Sequence, residues 1–538
     1  LVRSPRPLPD DPPACPQSPP NKCIIVVTTF DDYGNVESAI HHLGGGATRT
    51  NTHAYDPDNH IHPQQVTTDL SAGGKYHVGY GYDAGCGQMI WETLPYIQLA
   101  SDPPPADPHD AVHPKSRREL DSFCRVSAEY APHEPGAQPG LPQKRYTYSL
   151  GGFDQDGIPW ASFIAVEQRE PGAASGYARS VQFADALGRP IQSVREAIVK
   201  VGSGAPTLRS VIEATTAYDA RGNPHRAYEP FSSGMLGKVE VTAVPPTAAY
   251  TERSYDAIGR VVQERTPEGF IRTADHSLAW QTTTTDECWG ATGCNGARAV
   301  EIRDGYERVV ERQVFDETTG LAGKTRFTYD ALGRQLTSER WDGTGWNPAT
   351  RITAEYDTLG RLVSRTESSS GTWIFAHDLA GNLRVQEDPK SGQHLEFCYD
   401  RLGRVTREYE VAANWNGGAL LSCVGPANPL FTVIYEYDGA DGYGTGQLHR
   451  VTDPSGVTEF LVYDVRGRVE QVDKTIAVDG REEHGFTEFE YDDANRVVRT
   501  TYPDGEVVLA NRDATGQLAS VPSETHTRWG NEDGTEVP

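Results

Sequence analysis

Histidines and aspartates cluster near the start of this sequence, and both residue types can bind a metal ion. Six of the 16 histidines and two nearby aspartates are involved: His41, His42, His53, His60, His62, His77, Asp56 and Asp58. A zinc site needs three or four ligands that converge, and motifs such as HExxH place two of them on one helix face. This cluster has no such spacing. We interpret these histidines as loop or surface residues and predict no metal ligands.

One segment begins like a calcium-binding loop. Asp154, Asp156 and Gly157 match the first positions of an EF-hand, which also requires a bidentate glutamate at its twelfth position. The apolar residues Ile164 and Val166 lie at that end of the frame instead. We therefore predict a turn without calcium.

Motifs for catalysis are incomplete as well. The glycine cluster Gly442, Gly444 and Gly446 is not followed by the helical pattern that a phosphate-binding loop requires. The G-x-S-x-G nucleophile elbow is absent. With 75 carboxylates in the chain, pairs occur throughout, so a glycosidase pair has no positional support. We predict no catalytic residues, no cofactor-binding residues, no cofactor and no enzyme activity.

Tryptophans could form a platform that binds sugar rings. Six of them lie between the middle of the chain and its last quarter: Trp280, Trp289, Trp341, Trp346, Trp373 and Trp415. Aromatic side chains on strands more often pack against neighbouring side chains of a sheet. We interpret these residues as sheet packing.

Composition excludes several classes of protein. The 538 residues include 49 Lys and Arg against 75 Asp and Glu, a formal net charge of −26. Such a polyanion repels nucleic acids and anionic lipid surfaces. No stretch approaches the roughly 18 apolar residues that a membrane span requires. We predict no nucleic-acid partner and no membrane span. The 54 Gly and 37 Pro indicate many turns and few long helices.

Eight cysteines indicate disulfide bonds in an oxidising compartment. They fall into sequential neighbours, without the spacing of a zinc site: Cys15 and Cys23, Cys86 and Cys124, Cys288 and Cys294, Cys398 and Cys423. Cys288 and Cys294 are the best predicted pair, because a short glycine-containing loop can bring their Cα atoms within bridging distance.

The elements that must position all these residues are visible as an internal repeat. Five copies share the frame Tyr-Asp-x-x-Gly-Arg and begin at Tyr255, Tyr329, Tyr356, Tyr399 and Tyr463. Weaker copies begin at Phe30, Phe183, Tyr218, His377 and Tyr491. From Tyr329 onward most copies lie 21 to 28 residues apart, which suits one strand-turn-strand unit with variable loops.

The copy at Tyr329 shows why the repeat contains these residue types. Alternating residues before and after it predict two strands. Between them Asp330 can accept backbone N–H bonds, and Gly333 can adopt the positive φ that the reversal needs. Arg334 can pair with Asp330 or with a neighbouring copy. Because one hairpin is unstable alone, successive hairpins must pair into one continuous antiparallel sheet.

This frame and its spacing resemble the YD-repeat, or Rhs (rearrangement hotspot), family. That family includes the B and C components of bacterial Tc insecticidal toxins, polymorphic Rhs toxins and animal teneurins. The resemblance extends over residues 180–515, with sparse traces back to about 28. It implies an all-β fold, a long spiralling antiparallel sheet that forms a hollow shell or part of one. In toxin members this shell encloses a C-terminal effector.

One feature of the toxin members is not matched. In many of them the repeats are followed by a region with a DPxG-type signature that contains an autoproteolytic aspartate site. The nearest string here, Asp453 to Gly456, lies within the repeat array and is predicted to be a turn. Self-cleavage and toxicity are therefore not part of what the resemblance implies for this chain.

The repeat also suggests a division of the chain. We expect a Pro-rich N-terminal segment (1–27), a degenerate repeat region (28–179) with a Pro-rich excursion at 101–141, a YD-repeat β-shell (180–515) and a C-terminal tail (516–538). Within the excursion, residues 120–130 are predicted to form a short helix.

Two functions of different classes are consistent with these features. The first is a structural shell, part of a secreted toxin or toxin-delivery complex, whose partners are an encapsulated C-terminal effector or neighbouring toxin subunits. The alternative is a teneurin-like extracellular or cell-surface adhesion module that recognises a protein receptor or a glycan. Both place the chain outside the cell, secreted or at the cell surface.

Overall fold

The computed structural model describes most of the chain between residues 26 and 525. The described residues are 26–44, 47–70, 74–98, 113–132, 140–153, 159–170, 176–199, 205, 207–233, 241–390, 392–415, 423, 429–478, 481–492, 494–513 and 516–525. Within these ranges the regular elements are all β-strands. Among the same residues, no helix has the length and apolar character needed to cross a membrane.

The strands follow one another with short connections. In chain order they are β1 (Val26–Phe30), β2 (Val36–Gly44), β3 (Ala47–Tyr55), β4 (Pro63–Asp69), β5 (Lys75–Tyr82), β6 (Met89–Thr93), β7 (Tyr96–Gln98), β8 (Lys115–Leu120), β9 (Val126–Tyr130), β10 (Lys144–Ser149), β11 (Gly152–Phe153), β12 (Pro159–Trp160), β13 (Ser162–Arg169), β14 (Tyr177–Ala184), β15 (Pro190–Val199), β16 (Thr207–Tyr218), β17 (Pro224–Tyr228), β18 (Phe231–Ser233), β19 (Tyr250–Tyr255), β20 (Val261–Arg265), β21 (Ile271–Asp275) and β22 (Gln281–Thr285). They continue as β23 (Ala297–Arg303), β24 (Val309–Asp316), β25 (Gly320–Tyr329), β26 (Gln335–Trp341), β27 (Trp346–Tyr356), β28 (Leu362–Glu367), β29 (Gly371–His377), β30 (Leu383–Glu387), β31 (His394–Tyr399), β32 (Val405–Val411), β33 (Pro429–Tyr437), β34 (Asp441–Gly442), β35 (Leu448–Asp453), β36 (Gly456–Tyr463), β37 (Val469–Val478), β38 (Arg481–Tyr491), β39 (Val497–Thr501), β40 (Val507–Leu509), β41 (Asn511–Arg512), β42 (Leu518–Ser520) and β43 (Ser523–Thr525).

One sheet of 39 strands contains nearly all of them. Most strands pair with their neighbours along the chain in an antiparallel meander, for example β24 with β25 and β25 with β26. The two-residue strand β34 is different, because it pairs with β36 in parallel. The predicted fold class, a long antiparallel sheet built from YD hairpins, is confirmed.

A register shift marks the hairpins of the repeat. In the hairpin of β25 and β26 the register shifts between Thr328 and Tyr329, and Gly333 in the connecting turn has a φ of 83°. This is the pattern of a turn followed by a bulge that requires a left-handed residue. The glycine of the repeat therefore supplies the positive φ, as predicted.

The sheet is a single layer with a small core. The largest fully buried side chains among the described residues are Phe183, Ile212 and Val385. One apolar cluster, Ala165, Val181, Phe183, Val194 and Ile212, lies on β13 to β16. Elsewhere most strand residues are half-buried on both faces. Lateral strand pairing, rather than a second layer, therefore holds this fold together.

The helix predicted for residues 120–130 is wrong. The structure has the hairpin of β8 and β9 there, joined by a turn from Asp121 to Arg125. This turn has the repeat's hydrogen bonds, but Cys124 occupies the place of the glycine, with a φ of 62°. The repeat was not recognised here because its two defining letters, tyrosine and glycine, are both replaced.

The connections of a meander alternate between the two sides of the sheet at which its strands begin and end. We call each of these sides an edge; the word does not refer here to the outermost strands. Turns of the repeat type, which we call YD turns, lie at one edge, the YD edge. The other connections, such as those at 266–270, 316–319 and 342–345, lie at the opposite edge, which we call the loop edge. Every second connection along the chain thus returns to the YD edge.

The sheet curves so that its YD edge late in the chain lies against its loop edge earlier in the chain. Arg496, in a YD turn, donates to the carboxylate of Glu170 at the loop edge, although 326 positions separate them in sequence. Strands β14 to β38 lie between these two residues along the sheet. The sheet must therefore close into a ring. We call residues 26–387 the first ring and residues 394–525 the second ring.

Further contacts follow this seam between the rings. A Cβ placed on Gly446 would lie 3.1 Å from Pro95 Cγ and 3.2 Å from the Tyr76 hydroxyl. Arg466 shares a cavity of about 270 Å³ with Tyr130 and Arg169. In each case a YD-edge segment of the second ring lies against the loop edge of the first ring. The two rings therefore stack as successive windings of one spiral.

Candidate functional site

The YD turn is the most frequently repeated polar arrangement in the molecule. In the turn at Asp330, carboxylate Oδ1 accepts the backbone N–H groups of Leu332 and Arg334, both at 2.9 Å. Oδ2 accepts the Nε–H of Arg334 at 2.6 Å. The predicted turn chemistry and the predicted Asp–Arg pairing within one copy are therefore confirmed.

Hydrogen bonds to this carboxylate lower its pKa in several copies. In the turn at Asp256 the largest influence is the backbone N–H of Arg260. Desolvation opposes it, the Arg260 guanidinium and the Ile258 N–H reinforce it, and the pKa of Asp256 falls to about 2. In the turn at Asp330, desolvation would raise the pKa, but the bonds from Arg334 and Leu332 outweigh it and the net shift is downward. These aspartates are held as charged turn components rather than as proton donors.

Arginines also link neighbouring YD turns. While Nε of Arg334 binds its own turn, Nη1 donates to the carbonyl oxygen of Asp357 in the next turn, at 3.0 Å. Equivalent forward bonds to the next turn's aspartate carbonyl run from Arg308, Arg361 and Arg468. In the turn at Asp219, where Asn223 stands in place of that arginine, Arg221 donates to the carbonyl oxygen of Asp256. The planar guanidinium suits this double task because its donors point in fixed, different directions. We call this row of bonds the arginine relay.

Tyrosine hydroxyls make the complementary backward links. The hydroxyl of Tyr329 donates to the carbonyl oxygen of Val309, directly after the preceding YD turn, at 2.7 Å. The same bond recurs in many copies: Tyr218, Tyr255, Tyr356, Tyr399, Tyr437, Tyr463 and Tyr491. In these copies the YD turn is therefore bonded to a neighbouring turn along the sheet.

The seam ion pair was not predicted from the sequence. Glu170 is 6% exposed and Arg496 binds both its carboxylate and that of Asp492. Desolvation would lower the pKa of Arg496, but its bonds to Asp492 and Glu170 raise the value overall. No sequence signal marks Glu170, because its partner lies in another ring.

Four of the six clustered histidines, His53 among them, stack on aromatic rings or bind polar side chains. His60 stacks on Tyr33 with ring centroids 3.8 Å apart, and His62 on Tyr82 at 4.4 Å. His77 is buried between Thr67 and Gln98, its two nitrogens 2.8 and 3.2 Å from their side-chain oxygens. Among the residues that the structure describes, no group of three His, Cys, Asp or Glu could hold a metal ion.

Other candidate segments are structural where they are described. Gly442 and Gly444 pack tightly on Tyr463 and Ala440 in the loop beside β34, a backbone packing arrangement. At Asp453 the side chain accepts the N–H of Ser455 at 2.6 Å, which confirms the predicted turn. The turn predicted at Asp154 lies in a segment (154–158) outside the described residues.

The tryptophans in the described part of the chain do not form one platform. Trp341 and Trp346 pack edge to face on paired strands, with ring centroids 5.5 Å apart. Lys324 Nζ lies 5.2 Å from the centroid of the Trp341 indole and 5.4 Å from that of the Trp346 indole. Trp289 lies instead beside Arg298, on β23. For these three tryptophans the contacts support packing against neighbouring side chains of the sheet.

A buried polar cluster lies on β30, on β31 and in the segment that follows β32. His394 Nδ1 lies 2.5 Å from the carbonyl oxygen of Ala413, and Nε2 lies 3.0 Å from Glu396. Glu387 nearby accepts the backbone N–H of Trp415 at 3.1 Å. Because both imidazole nitrogens of His394 already have protein partners, this cluster is a structural pair rather than a substrate or metal site.

Three disulfides join sequential cysteines. They are Cys86–Cys124, Cys288–Cys294 and Cys398–Cys423, with Cα–Cα distances of 5.5, 5.5 and 5.6 Å. The predicted pair Cys288–Cys294 is confirmed, whereas Cys15 and Cys23 lie outside the described residues. Cys86–Cys124 joins two neighbouring YD turns where Gln88 stands in place of a relay arginine. The covalent bond replaces the missing relay.

The turns, the relay and the ring define a β-sheet shell of the YD-repeat type. No protein-family model matches the chain. Over 189 residues it is 27% identical to the double-stranded DNA deaminase toxin A of Burkholderia cenocepacia, a match that covers 33% of this chain and 12% of the toxin. Over 169 residues it is 27% identical to teneurin-4 of Mus musculus, covering 30% of this chain and 6% of the teneurin.

A solved structure extends the likeness to almost the whole chain. The crystal structure of TcdB2-TccC3-Cdc42 matches with a TM-score of 0.71 and 15% identity, over 95% of this chain and 29% of that one. The chain thus corresponds to a small part of the length of the proteins that it matches. These comparisons confirm the resemblance to the YD-repeat, or Rhs, proteins and the shell fold.

Proposed function

We propose that this chain is a wall segment of a YD-repeat shell that encloses an effector segment. The single observation that most supports this function is the contact between Glu170 and Arg496, because it joins distant parts of a one-layer sheet, as the wall of a closed shell requires. In this function the wall excludes proteases and confines its contents. It needs no turnover chemistry, and the structural roles of the candidate residues agree with that.

The size of the ring suits an enclosed polypeptide. Strands β14 to β38 amount to about 25 strands, and a spacing of about 4.8 Å gives a circumference of roughly 120 Å and a diameter of roughly 38 Å. A folded domain of about 100 residues has a radius of gyration of about 13 Å. One ring therefore has room for an extended or partly folded segment, and is of the order of a small domain.

The partners and location follow from the similar proteins. We propose a C-terminal effector or neighbouring toxin subunits as partners, because TccC3 of the matched structure also occurs in a matched Tc holotoxin structure and a matched relative is a toxin. The three disulfides favour an oxidising compartment, so we place the chain in a secreted complex or at the cell surface.

Limited proteolysis of the natural polypeptide, with the segments that adjoin this chain, tests the proposal. The variant Glu170→Lys opens the seam by placing a second cation against Arg496. Glu167→Lys, three residues earlier and on β13, changes an exposed pair with Arg145 and serves as the matched control. We expect the enclosed segment to resist protease in the wild type and the control, and to be digested in Glu170→Lys. Rapid digestion of that segment in a folded wild-type shell would refute enclosure.

The alternative function, adhesion, is supported by the teneurin match. In that case an outer face or its loops would bind a receptor protein or a glycan. Binding by the isolated chain to a glycan array or to a cell surface, unchanged by Glu170→Lys, would favour adhesion over enclosure.

A further inference from the structure

The two faces of the sheet have different side chains. Directly opposite residues of an antiparallel pair lie on the same face, and successive residues of a strand alternate between the faces. Arg326 and Glu339 are opposite each other and form an ion pair, so they define one face, which we call the ion-pair face. Phe327 lies on the other face, which we call the apolar face. The strand registers extend this assignment from β25 to β39.

Charged side chains on the ion-pair face bind one another across the strands. The pairs between β24 and β39 include Lys324–Glu311, Arg326–Glu339, Arg351–Glu339, Arg450–Glu459 and Arg499–Glu490. Threonines on the same face also pair, as Thr366 does with Thr372 at 2.9 Å between their hydroxyl oxygens. This composition is typical of a sheet face in contact with water.

Large apolar side chains from the same strands lie on the apolar face. They are Phe327, Ile352, Trp373, Phe375, Leu395, Phe397, Phe431, Val433, Tyr435, Val451, Phe460, Val472 and Phe489, and each is half-buried. Polar residues such as Arg365, Gln386 and Glu408 divide them into groups along the sheet. Soluble proteins rarely expose so much apolar surface to bulk water. This face therefore requires shelter.

Two long connections, between β18 and β19 and between β32 and β33, contact the ion-pair face where they are described. In the first, the N–H of Thr242 donates to the side chain of Gln192 at 2.7 Å and its carbonyl oxygen accepts from that side chain at 2.9 Å. In the second, Cys423 forms a disulfide with Cys398. Followed strand by strand, Gln192 and Cys398 lie on the same face as Glu339. A ring roughly 38 Å across can hold a second polypeptide only if its centre stays free, so these connections indicate that the ion-pair face is outside.

We propose that the apolar face lines the inside of the ring and binds the apolar side chains of an enclosed effector segment that is not folded. This inference rests on the proposed function and adds the face and the chemistry of the contact. Polar residues outside and apolar residues inside are the pattern of an antiparallel sheet with one sheltered face. An unfolded segment matches this lining better than a folded domain, because it still exposes the apolar side chains that folding would bury.

Cysteine labelling of the chain alone tests which face lies inside. Thr500 and Thr501 are half-buried neighbours on β39, on the apolar face and the ion-pair face respectively. A maleimide on a polymer too large for a lumen of roughly 38 Å should label Thr501→Cys at least about tenfold faster than Thr500→Cys, with each rate divided by that of a small maleimide. Thr283→Cys and Thr282→Cys on β22, also half-buried, should show the same contrast. The wild type gives the background from native cysteines, and circular dichroism verifies folding. Equal ratios, or a higher ratio for Thr500→Cys, would overturn the assignment of the faces.

Photo-cross-linking in the natural polypeptide, with the segments that adjoin this chain, tests the contact itself. The photoreactive residue p-benzoylphenylalanine is placed at Phe489 on the apolar face or, as the matched control, at Glu488 on the ion-pair face of the same strand. We expect cross-links to the enclosed segment from position 489 and not from position 488. Cross-links from position 488 that equal or exceed those from 489, or none from 489 although the segment resists protease, would overturn the proposal. Digestion of the segment in a folded wild type would instead refute enclosure, and the labelling contrast would still decide which face lies inside.

Discussion

At the scale of single residues, the residue at the left-handed position affects the stability of each YD turn. Glycine holds it in most copies, as at Gly333, but Glu307 and Asn495 hold it with φ values of 64° and 65°. A side chain there costs about 1–2 kcal/mol because Cβ approaches the following carbonyl oxygen. The chain therefore contains its own series of favourable and strained turns.

Replacing Gly333 by alanine should reduce the free energy of unfolding by about 1–2 kcal/mol. The matched control is Gly345→Ala, because Gly345 also has no atom within 4 Å of an added Cβ but does not have a positive φ. Denaturant unfolding of both variants measures the difference. Equal changes in the two variants would show that conformation is not the reason for glycine at 333.

The opposite change is expected at Glu307. Glu307→Gly should stabilise the protein by about 0.5–1 kcal/mol, because relief of left-handed strain exceeds the added entropy of the unfolded chain. Thermal melting measures the shift. The comparison is Glu311→Gly, within β24, where the lost side chain and the freer backbone should destabilise. A lower melting temperature for Glu307→Gly would contradict the strain argument.

The turn aspartates predict how stability depends on pH. The folded pKa of Asp256 is about 2, below its unfolded value, so the charged form stabilises the fold. This stabilisation is complete above the unfolded pKa and is lost as the pH falls from about 4 towards 2. Asp256→Asn should melt below the wild type at pH 7, and the gap should shrink in acid. A gap that stays constant with pH would contradict this assignment.

At the scale of elements, the relay and the seam join hairpins that are marginal alone. The seam pair of Glu170 and Arg496 is mostly buried, with side chains 8% and 23% exposed. Removing one partner of such a pair leaves a buried charge, which costs about 3–5 kcal/mol. The seam is therefore more sensitive to substitution than the exposed ion pairs on the sheet faces.

A double-mutant cycle should measure that coupling. Glu170→Gln and Arg496→Lys should each destabilise, and the coupling energy between them should be about 2 kcal/mol, within the range for contacting charges. A parallel cycle on Arg145 and Glu167, an exposed pair 3.3 Å apart, should give less than about 1 kcal/mol. Equal coupling in the two cycles would contradict a buried, ring-closing role for Glu170.

The sequence predicted what depends on neighbouring residues. Asp330, Gly333 and Arg334 lie within five positions of each other, so their turn and their pairing follow from local chemistry. The helix predicted at 120–130 failed because Cys124 replaces the glycine and obscures the frame. The seam could not be predicted, since Glu170 and Arg496 are 326 positions apart and meet only after the whole ring has curved.

At the scale of the whole molecule, the account rests on closure of the ring. A one-layer sheet gains most of its stability from neighbouring strands, and a closed ring differs from an open ribbon in its curvature and its seam contacts. In an open, flat sheet, the ends of β13 and β39 would be separated by about 25 strands, or roughly 120 Å. In the ring they touch through Glu170 and Arg496.

A distance measurement between spin labels at Glu167→Cys and Asn495→Cys tests closure directly. These positions lie three residues and one residue from the seam pair, so chain geometry and label length place the spins within roughly 25 Å in a closed ring. We predict one narrow distance distribution in that range from double electron–electron resonance. A distribution at much greater distances, in a protein that keeps its strand content, would show an open ribbon and contradict the shell.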